Sequence, residues 1–297
     1  MTRSVLGKLR LPLRQLADRY SILRGLIGRT WNSYERFRFV YHAWRNARDN
    51  QREPATVDPY QLIMVSPSSI DGHSPGDFDS IADAGRIVEG TWDRSKVSYF
   101  ENGFRYPSFQ EHFQEGVPWK KTKYYHTKVN QIHSDRETKF ASVDALDRKC
   151  SELDRIYKEI QTEGYSMQVD LRTTRGTAGS IVGDGGRGLF PGSKHLIRNE
   201  VSLDIARDGE LMLNEGRHRV CIVKLLGLES VPVRVVVRHR GWQNIRNRVA
   251  RYVASQEFES LSEAFAAVED NILTTEKIRI GVKHPDLRTV IESHYNW

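Results

Sequence analysis

The order of local signals from Leu203 to Val237 constrains this chain more than any other feature. Residues 201–206 and 210–213 are short β-type runs. Between them Asp208-Gly209 is the dipeptide that a tight hairpin favours, because such a turn needs positive φ. Asn214, Glu215 and Gly216 lead out of the second run. From Arg217 onward Val220, Val223, Leu225 and Leu226 keep helical spacing, until Gly227 offers a left-handed stop. Residues 231–237, with Pro232 near their start, form a β-branched run. Strand, turn, strand, glycine loop, helix and strand in this order predict an α/β (α+β) fold built on a small mixed sheet.

The glycine loop stands where a helix begins. A helix start presents backbone N–H groups without intrahelical partners and carries a partial positive charge, so anions are favoured there. Gly216, Arg217, His218 and Arg219 are therefore the candidate phosphate ligands, with Asn214 beside them. A glycine permits close backbone approach to an anion, and the arginines add fork-shaped donors. His218 can donate a hydrogen bond or titrate near neutral pH. Glu215 is the loop's one carboxylate and the candidate for magnesium ligation or proton transfer. Glu215 and His218 are thus the candidate catalytic residues. The competing reading pairs Glu215 with an arginine and leaves the loop as the cap of a surface helix.

At 297 residues the chain can bury a core without staples, as one main domain with additions or as two small ones. No run approaches the roughly 18 apolar residues of a membrane span. Cys150 and Cys221 lie far apart with no CxxC, which argues against a disulfide framework and a cysteine zinc site and suits a reducing cytoplasm. Arg3, Lys8 and Arg10 precede an interrupted apolar stretch that lacks the features of an export signal.

The formal net charge of +7 is uneven: residues 1–52 hold twelve Arg or Lys against three Asp or Glu, a local +9, leaving −2 for the rest. A partner with a negative surface, whether DNA, RNA or anionic lipid, would meet this basic arm first. Within the arm Leu13, Leu16, Tyr20, Leu23, Ile27, Trp31, Tyr34, Phe37, Tyr41 and Trp44 recur at steps of three and four, the spacing of one buried helical face. Pro12 suits the helix start, and Gly25 and Gly28 are places where it would divide. Arg14, Arg19, Arg24 and Arg29 step by five and walk around the axis, which weakens a membrane-surface reading.

Residues 52–58 read as a linker, 61–65 as a strand and 67–79 as a turn-rich loop. In the aromatic stretch 80–140, Trp92, Tyr99, Phe100, Trp119, Tyr124 and Tyr125 are expected in a core or interface. His126 and His133 lack a third ligand at metal spacing. Ser142 caps a helix whose buried stripe is Val143, Leu146, Cys150, Leu153, Ile156, Tyr157 and Ile160, ended by Gly164. Residues 165–171 alternate like a strand, and 173–194 form a long glycine-rich loop. Gly183, Gly185 and Gly188 match GxGxxG literally, but Pro191 and Gly192 break the helix such a motif must open. Gly188 to Gly192 also misses the spacing of a P-loop.

The chain from Gly216 resembles the ParB/sulfiredoxin superfamily over residues 142–240: Gly216 to Arg219 match its G-x-x-R loop, followed by Leu226-Gly227 and Val231-Pro232-Val233. The resemblance implies a small α/β domain whose loop holds nucleotide phosphates, with ATP or CTP and Mg2+ as the implied ligands. Arg217 stands where sulfiredoxin has its cysteine, and Arg217-His218-Arg219 replaces the Glu-Arg-Arg of partition proteins. Glu215 to Arg219 are most similar to the acid-Gly-x-His-Arg pattern of the free-serine kinases. Trp92-Asp93-Arg94, Trp119 with Thr122, and Arg238-His239 with Trp242-Gln243 are also similar to elements of ParB-like proteins from archaea and their viruses.

Arg238, His239, Arg240 and Arg246 belong to a basic run around Trp242 that reads as a second phosphate wall, a nucleic-acid contact or a solvated helix face with Trp242 inside. Residues 257–273 form an amphipathic helix. The expected organisation is a basic helical arm (1–52), an aromatic-rich segment (53–141), the ParB/sulfiredoxin-like domain (142–240) and a helical extension (241–297). The expected function is nucleotide binding with phosphotransfer or hydrolysis. A DNA-associated adaptor and an assembly protein, as a homo-oligomer with a vestigial loop, are the alternatives.

Overall fold

A computed structural model of the chain describes residues 21–94, 98–100, 102–134, 140–167, 197–274 and 281–295. The chain divides into two compact units, one of residues 1–36, 100–192 and 221–226 and the other of residues 37–99, 193–220 and 227–297.

The second unit holds the sheet. Its strands are β1 (Leu62–Val65), β2 (Ile70–His73), β3 (Arg86–Val88), β4 (Ser98–Tyr99), β5 (Val201–Ile205), β6 (Leu211–Glu215) and β7 (Val231–His239). Among the described residues the order is β1-β7-β5-β6-β2-β4, with β3 also paired to β7. The β5–β6 hairpin is antiparallel, β7 joins β5 in parallel, and β2 joins β6 in parallel, so the sheet is mixed as expected. Gly209 has φ 92° in the hairpin turn, the conformation that Asp208-Gly209 implied. β7 is buried along its whole length, which explains why it is rich in valine on both faces.

Two expectations change. Residues 67–79 were expected to be loop, yet Ile70–His73 form β2, because pairing with β6 supplies what the weak strand propensity of Ile-Asp-Gly-His does not. The sheet also takes β1 to β4 from residues 62–99, so it reaches well upstream of residues 142–240.

Helix α1 (Ser21–Asp49) runs unbroken through Gly25 and Gly28. Its buried positions are Asn32, Arg36, Phe39, Ala43 and Asn46, whereas Tyr34, Phe37, Tyr41 and Trp44 are exposed. The part of the expected buried stripe from Tyr34 to Trp44 is thus turned outward, while the side chains of Leu23, Ile27 and Trp31 lie outside the described residues. Polar anchoring within the second unit accounts for the rotation: Asn46 donates to the carbonyls of Ala82 (3.1 Å) and Ala84 (2.9 Å), and Asn50 donates to that of Gly85 (2.7 Å). Arg38 pairs with Asp79 at 2.5 Å, and Phe39 meets Tyr60 edge to face. The part of the stripe before Ser21 and the start at Pro12 lie outside the described residues.

In the first unit, α4 (Val143–Glu163) follows its sequence pattern. The Ser142 hydroxyl accepts from the Ala145 N–H, Leu146, Cys150, Leu153, Ile156 and Ile160 are buried, and Gly164 stops the helix at φ 78°. Helices α2 (Arg105–Glu115) and α3 (Lys123–His133) enclose an aromatic core in which Phe109 meets Trp119 and Tyr124 edge to face. Thr122 caps α3, and the Trp119 indole N–H donates to Asp154 at 2.7 Å. Residues 165–167 are not in a strand; residues 168–171 and the glycine-rich loop lie outside the described residues.

The remaining helices are α5 (Arg217–Leu225), α6 (Arg240–Ala254), α7 (Leu261–Val268) and α8 (Pro285–Tyr295). Ser260 caps α7, which continues into a π-helical turn at Glu269–Leu273. In the second unit, α6 and α8 share a core of Trp242, Val249, Val253, Leu287 and Ile291. No helix among the described residues is long and apolar enough to cross a membrane.

Candidate functional site

β6 ends at Glu215, the chain turns at Gly216 with φ 103°, and α5 begins at Arg217. The Val220 N–H bonds the Gly216 carbonyl at 3.1 Å and closes the first helical turn. Asn214, Glu215, Gly216, Arg217 and His218 therefore meet at the end of one strand, where the hairpin and the helical pattern put them. Arg217 and Glu215 are exposed, and His218 is half-buried.

The glycine also has a reason that the sequence did not reveal. A Cβ on Gly216 would stand 3.1 Å from the Cα of Val201 on β5, so the residue serves close packing of two backbones as well as positive φ. Arg219 is committed as well. It pairs with the buried Glu200 carboxylate at 3.2 Å and donates to the Asn199 carbonyl, which holds the start of α5 against the chain entering β5. Of the two expected phosphate-binding arginines, Arg217 is the more exposed.

Sheet register assembles a polar cluster that sequence spacing did not reveal. Arg234 of β7 lies beside Ser202 of β5, and Ser202 lies beside Glu215 of β6, forming one row across three strands. Glu215 accepts from the Ser80 hydroxyl at 2.6 Å. A register shift between Ser202 and Leu203 leaves Asn214 as the extra residue of β6. Its side-chain amide donates to the Asp204 carboxylate (3.1 and 3.3 Å) and to the Phe78 carbonyl (3.3 Å). Asp204 is completely buried and also accepts from the Val237 N–H at 3.2 Å. Burial pushes its carboxyl up to about 6, against the opposing hydrogen bonds from Ser74, Asn214 and Val237.

Arg234 is the least conventional member of the cluster. Its side chain is wholly buried, its guanidinium lies 5.2 Å from the centroid of the Phe39 ring, and none of its three side-chain nitrogens has a hydrogen-bond partner among the described residues. Burial lowers its pKa to about 10, with Glu215, Asp204 and Asp79 pulling it back toward the charged form. Neither Asp204 nor Arg234 was singled out from sequence. Each sits in a strand rich in apolar residues, where a charge flanked by apolar neighbours is the available signal.

The basic run after β7 takes a different role from the second wall or nucleic-acid contact expected of it. Arg238 and Arg246 are buried and converge on Asp286 of α8: Arg238 donates at 2.5 and 2.9 Å, and the Arg246 Nε lies 3.2 Å from the same carboxylate. Trp242 adds a donor at 2.8 Å. Burial raises the Asp286 pKa, but the two guanidiniums outweigh it and hold the carboxyl far below the usual range. His239 caps α6 by accepting from the Gly241 N–H and donates to the Gly90 carbonyl at 2.9 Å. Arg240 pairs with Glu53 at 2.5 Å. Two arginines of β7 thus meet different neighbours: Arg234 lies against Phe39 of α1, and Arg238 pairs with Asp286 of α8. A second register shift, between Leu203 and Asp204, separates them.

Among the described residues no group of three His, Cys, Asp or Glu side chains could hold a metal ion. No family model matches the chain, and no curated protein and no solved structure matches it.

Proposed function

We propose that the second unit binds a phosphorylated ligand of nucleotide type at the junction of β6 and α5. The observation that carries this reading is the exposed Arg217 and half-buried His218 on the first turn of a helix that springs directly from the end of an interior strand. That end of a helix favours negative charge. The buried Arg234, in the same cross-sheet row as Glu215, adds positive potential behind it. The resemblance of Glu215 to Arg219 to a phosphate-handling loop points the same way.

Glu215 and His218 are the groups of the junction able to handle a proton, and Asp204 stands behind them as a buried carboxyl of raised pKa. A Mg2+ ion would arrive with the phosphates and take Glu215 as a protein ligand, since Mg2+ commonly keeps most of its shell from water and phosphate oxygens. Phosphotransfer or hydrolysis is the chemistry these residues would serve. The DNA-adaptor reading is less well supported, because Arg238 and Arg246 are buried.

The test is thermal denaturation and titration calorimetry with ATP, ADP, CTP and GTP, with and without Mg2+, on the native chain and on Arg217→Ala. Nucleotide-dependent stabilisation that Arg217→Ala loses is the expected result. No response to any nucleotide would overturn the proposal.

A further inference from the structure

Helix α1 presents an aromatic stripe to solvent within the most basic part of the chain. Phe37, Tyr41 and Trp44 follow one another at steps of four and three and are 57%, 46% and 57% exposed. Tyr34 extends the stripe by one step. The helix already has its inner face in Phe39, Ala43 and Asn46, so these rings are surplus to its packing. Exposing three large rings in a row costs hydration free energy that scattered surface aromatics do not concentrate.

The charge around the stripe is positive. Arg45 and Arg48 flank Trp44 and are exposed, and the Arg48 guanidinium lies 5.7 Å from the Trp44 ring centroid. Asp49 offsets Arg45 weakly, at 3.9 Å between exposed groups. Residues 1–52 together carry +9. The occupant must therefore accept apolar rings to a shallow depth while offering negative charge at its surface.

We infer that this face of α1 docks on an anionic phospholipid surface, with Phe37, Tyr41 and Trp44 inserted at the headgroup boundary and the flanking arginines on lipid phosphates. Tryptophan and tyrosine favour that boundary because an apolar ring and a polar tip are satisfied at once, and each nearby cationic side chain adds attraction to acidic lipid. A second copy of the chain fits less well, since it would bring two segments of +9 together. A single-stranded nucleic acid also fits less well. Phe37 and Tyr41 are near parallel, with an interplanar angle of 15° and centroids 6.4 Å apart, too close for a base to sit between them.

The experiment is co-sedimentation of the full chain with vesicles of phosphatidylcholine alone and with vesicles that also contain phosphatidylglycerol, over a range of salt. The expected result is binding to the phosphatidylglycerol vesicles that weakens with salt. It should fall at least about tenfold in Phe37→Ser/Trp44→Ser, which removes two insertable rings. Because both positions are exposed, the variant should keep its unfolding temperature, and Arg45→Gln/Arg48→Gln should reduce the salt dependence. Failure to bind either vesicle, or binding that ignores the ring substitutions, overturns the proposal. A concentration-dependent dimer or an oligouridylate complex lost in Phe37→Ser/Trp44→Ser, without vesicle binding, overturns it in favour of a second copy or of RNA.

Discussion

Arg207 grips Asp93 across 114 positions of sequence: its Nε donates at 2.7 Å, its Nη2 at 2.5 Å and its backbone N–H at 3.0 Å. This clamp joins the end of the β5 strand to the segment after β3. Burial pushes the Asp93 carboxyl up, but the Arg207 donors outweigh it and hold it at about 2.

A carboxyl held below its unfolded value contributes stability above the ordinary carboxylate range and loses it as pH falls through about 2. Asp93→Asn should therefore lower the unfolding free energy by about 2 kcal/mol at neutral pH. The difference should shrink steadily toward pH 2. Urea denaturation across this range checks it, and a pH-independent difference would show that packing dominates the clamp.

Asp204 has the opposite sign. Its carboxyl is raised to about 6, so the folded chain retains a proton that the unfolded chain releases at lower pH. Stability should decline as pH rises from the ordinary carboxylate range to about 6 and then level off. Asp204→Asn cannot ionise and should gain on the native chain by up to about 3 kcal/mol over that window. Parallel stability curves for the two proteins would contradict the assignment.

Arg234→Met tests whether a buried cation without hydrogen-bond partners is kept for the fold or for a ligand. Buried donors without partners are costly to keep, so an apolar side chain of similar length should stabilise, by about 1–3 kcal/mol. The expected outcome is a higher unfolding temperature with a weaker nucleotide response. A destabilised variant with an unchanged response would assign Arg234 to the fold.

Gly216→Ala should destabilise by about 1–3 kcal/mol through its positive φ and its approach to Val201. Gly216→Asn tolerates left-handed backbone better but carries the same Cβ toward the Val201 Cα at 3.1 Å. Comparable losses in denaturant unfolding are expected. Recovery in the asparagine variant would make the conformation, and not the contact, decisive.

Much of the fold was legible where cause and effect lie within a few residues. Asp208-Gly209 marked the hairpin, Ser142 and Gly164 marked the ends of α4, and Gly227 marked the stop after α5. The candidate site was legible only as a position. Its glycine and helix start were visible, but the partners of Arg219 and the reason for Gly216 depended on Glu200 and Val201, which only the strand register brings alongside. The Trp-Asp-Arg, Trp-x-x-Thr and Arg-His-x-x-Trp-Gln elements likewise take structural work: Asp93 is clamped, Thr122 caps a helix, and Trp242 donates to a buried carboxylate.

The sequence by itself determined the α/β character, the β5–β6–α5–β7 order and the concentration of positive charge before residue 53, because turn chemistry, side-chain periodicity and charge are local properties. Tertiary structure decided which face of α1 is buried, that residues 70–73 become a strand, and that Arg238 and Arg246 meet Asp286. Those outcomes rest on hydrogen bonds and ion pairs between residues far apart in sequence, whose free energy overrides local preference once the backbone brings the partners together.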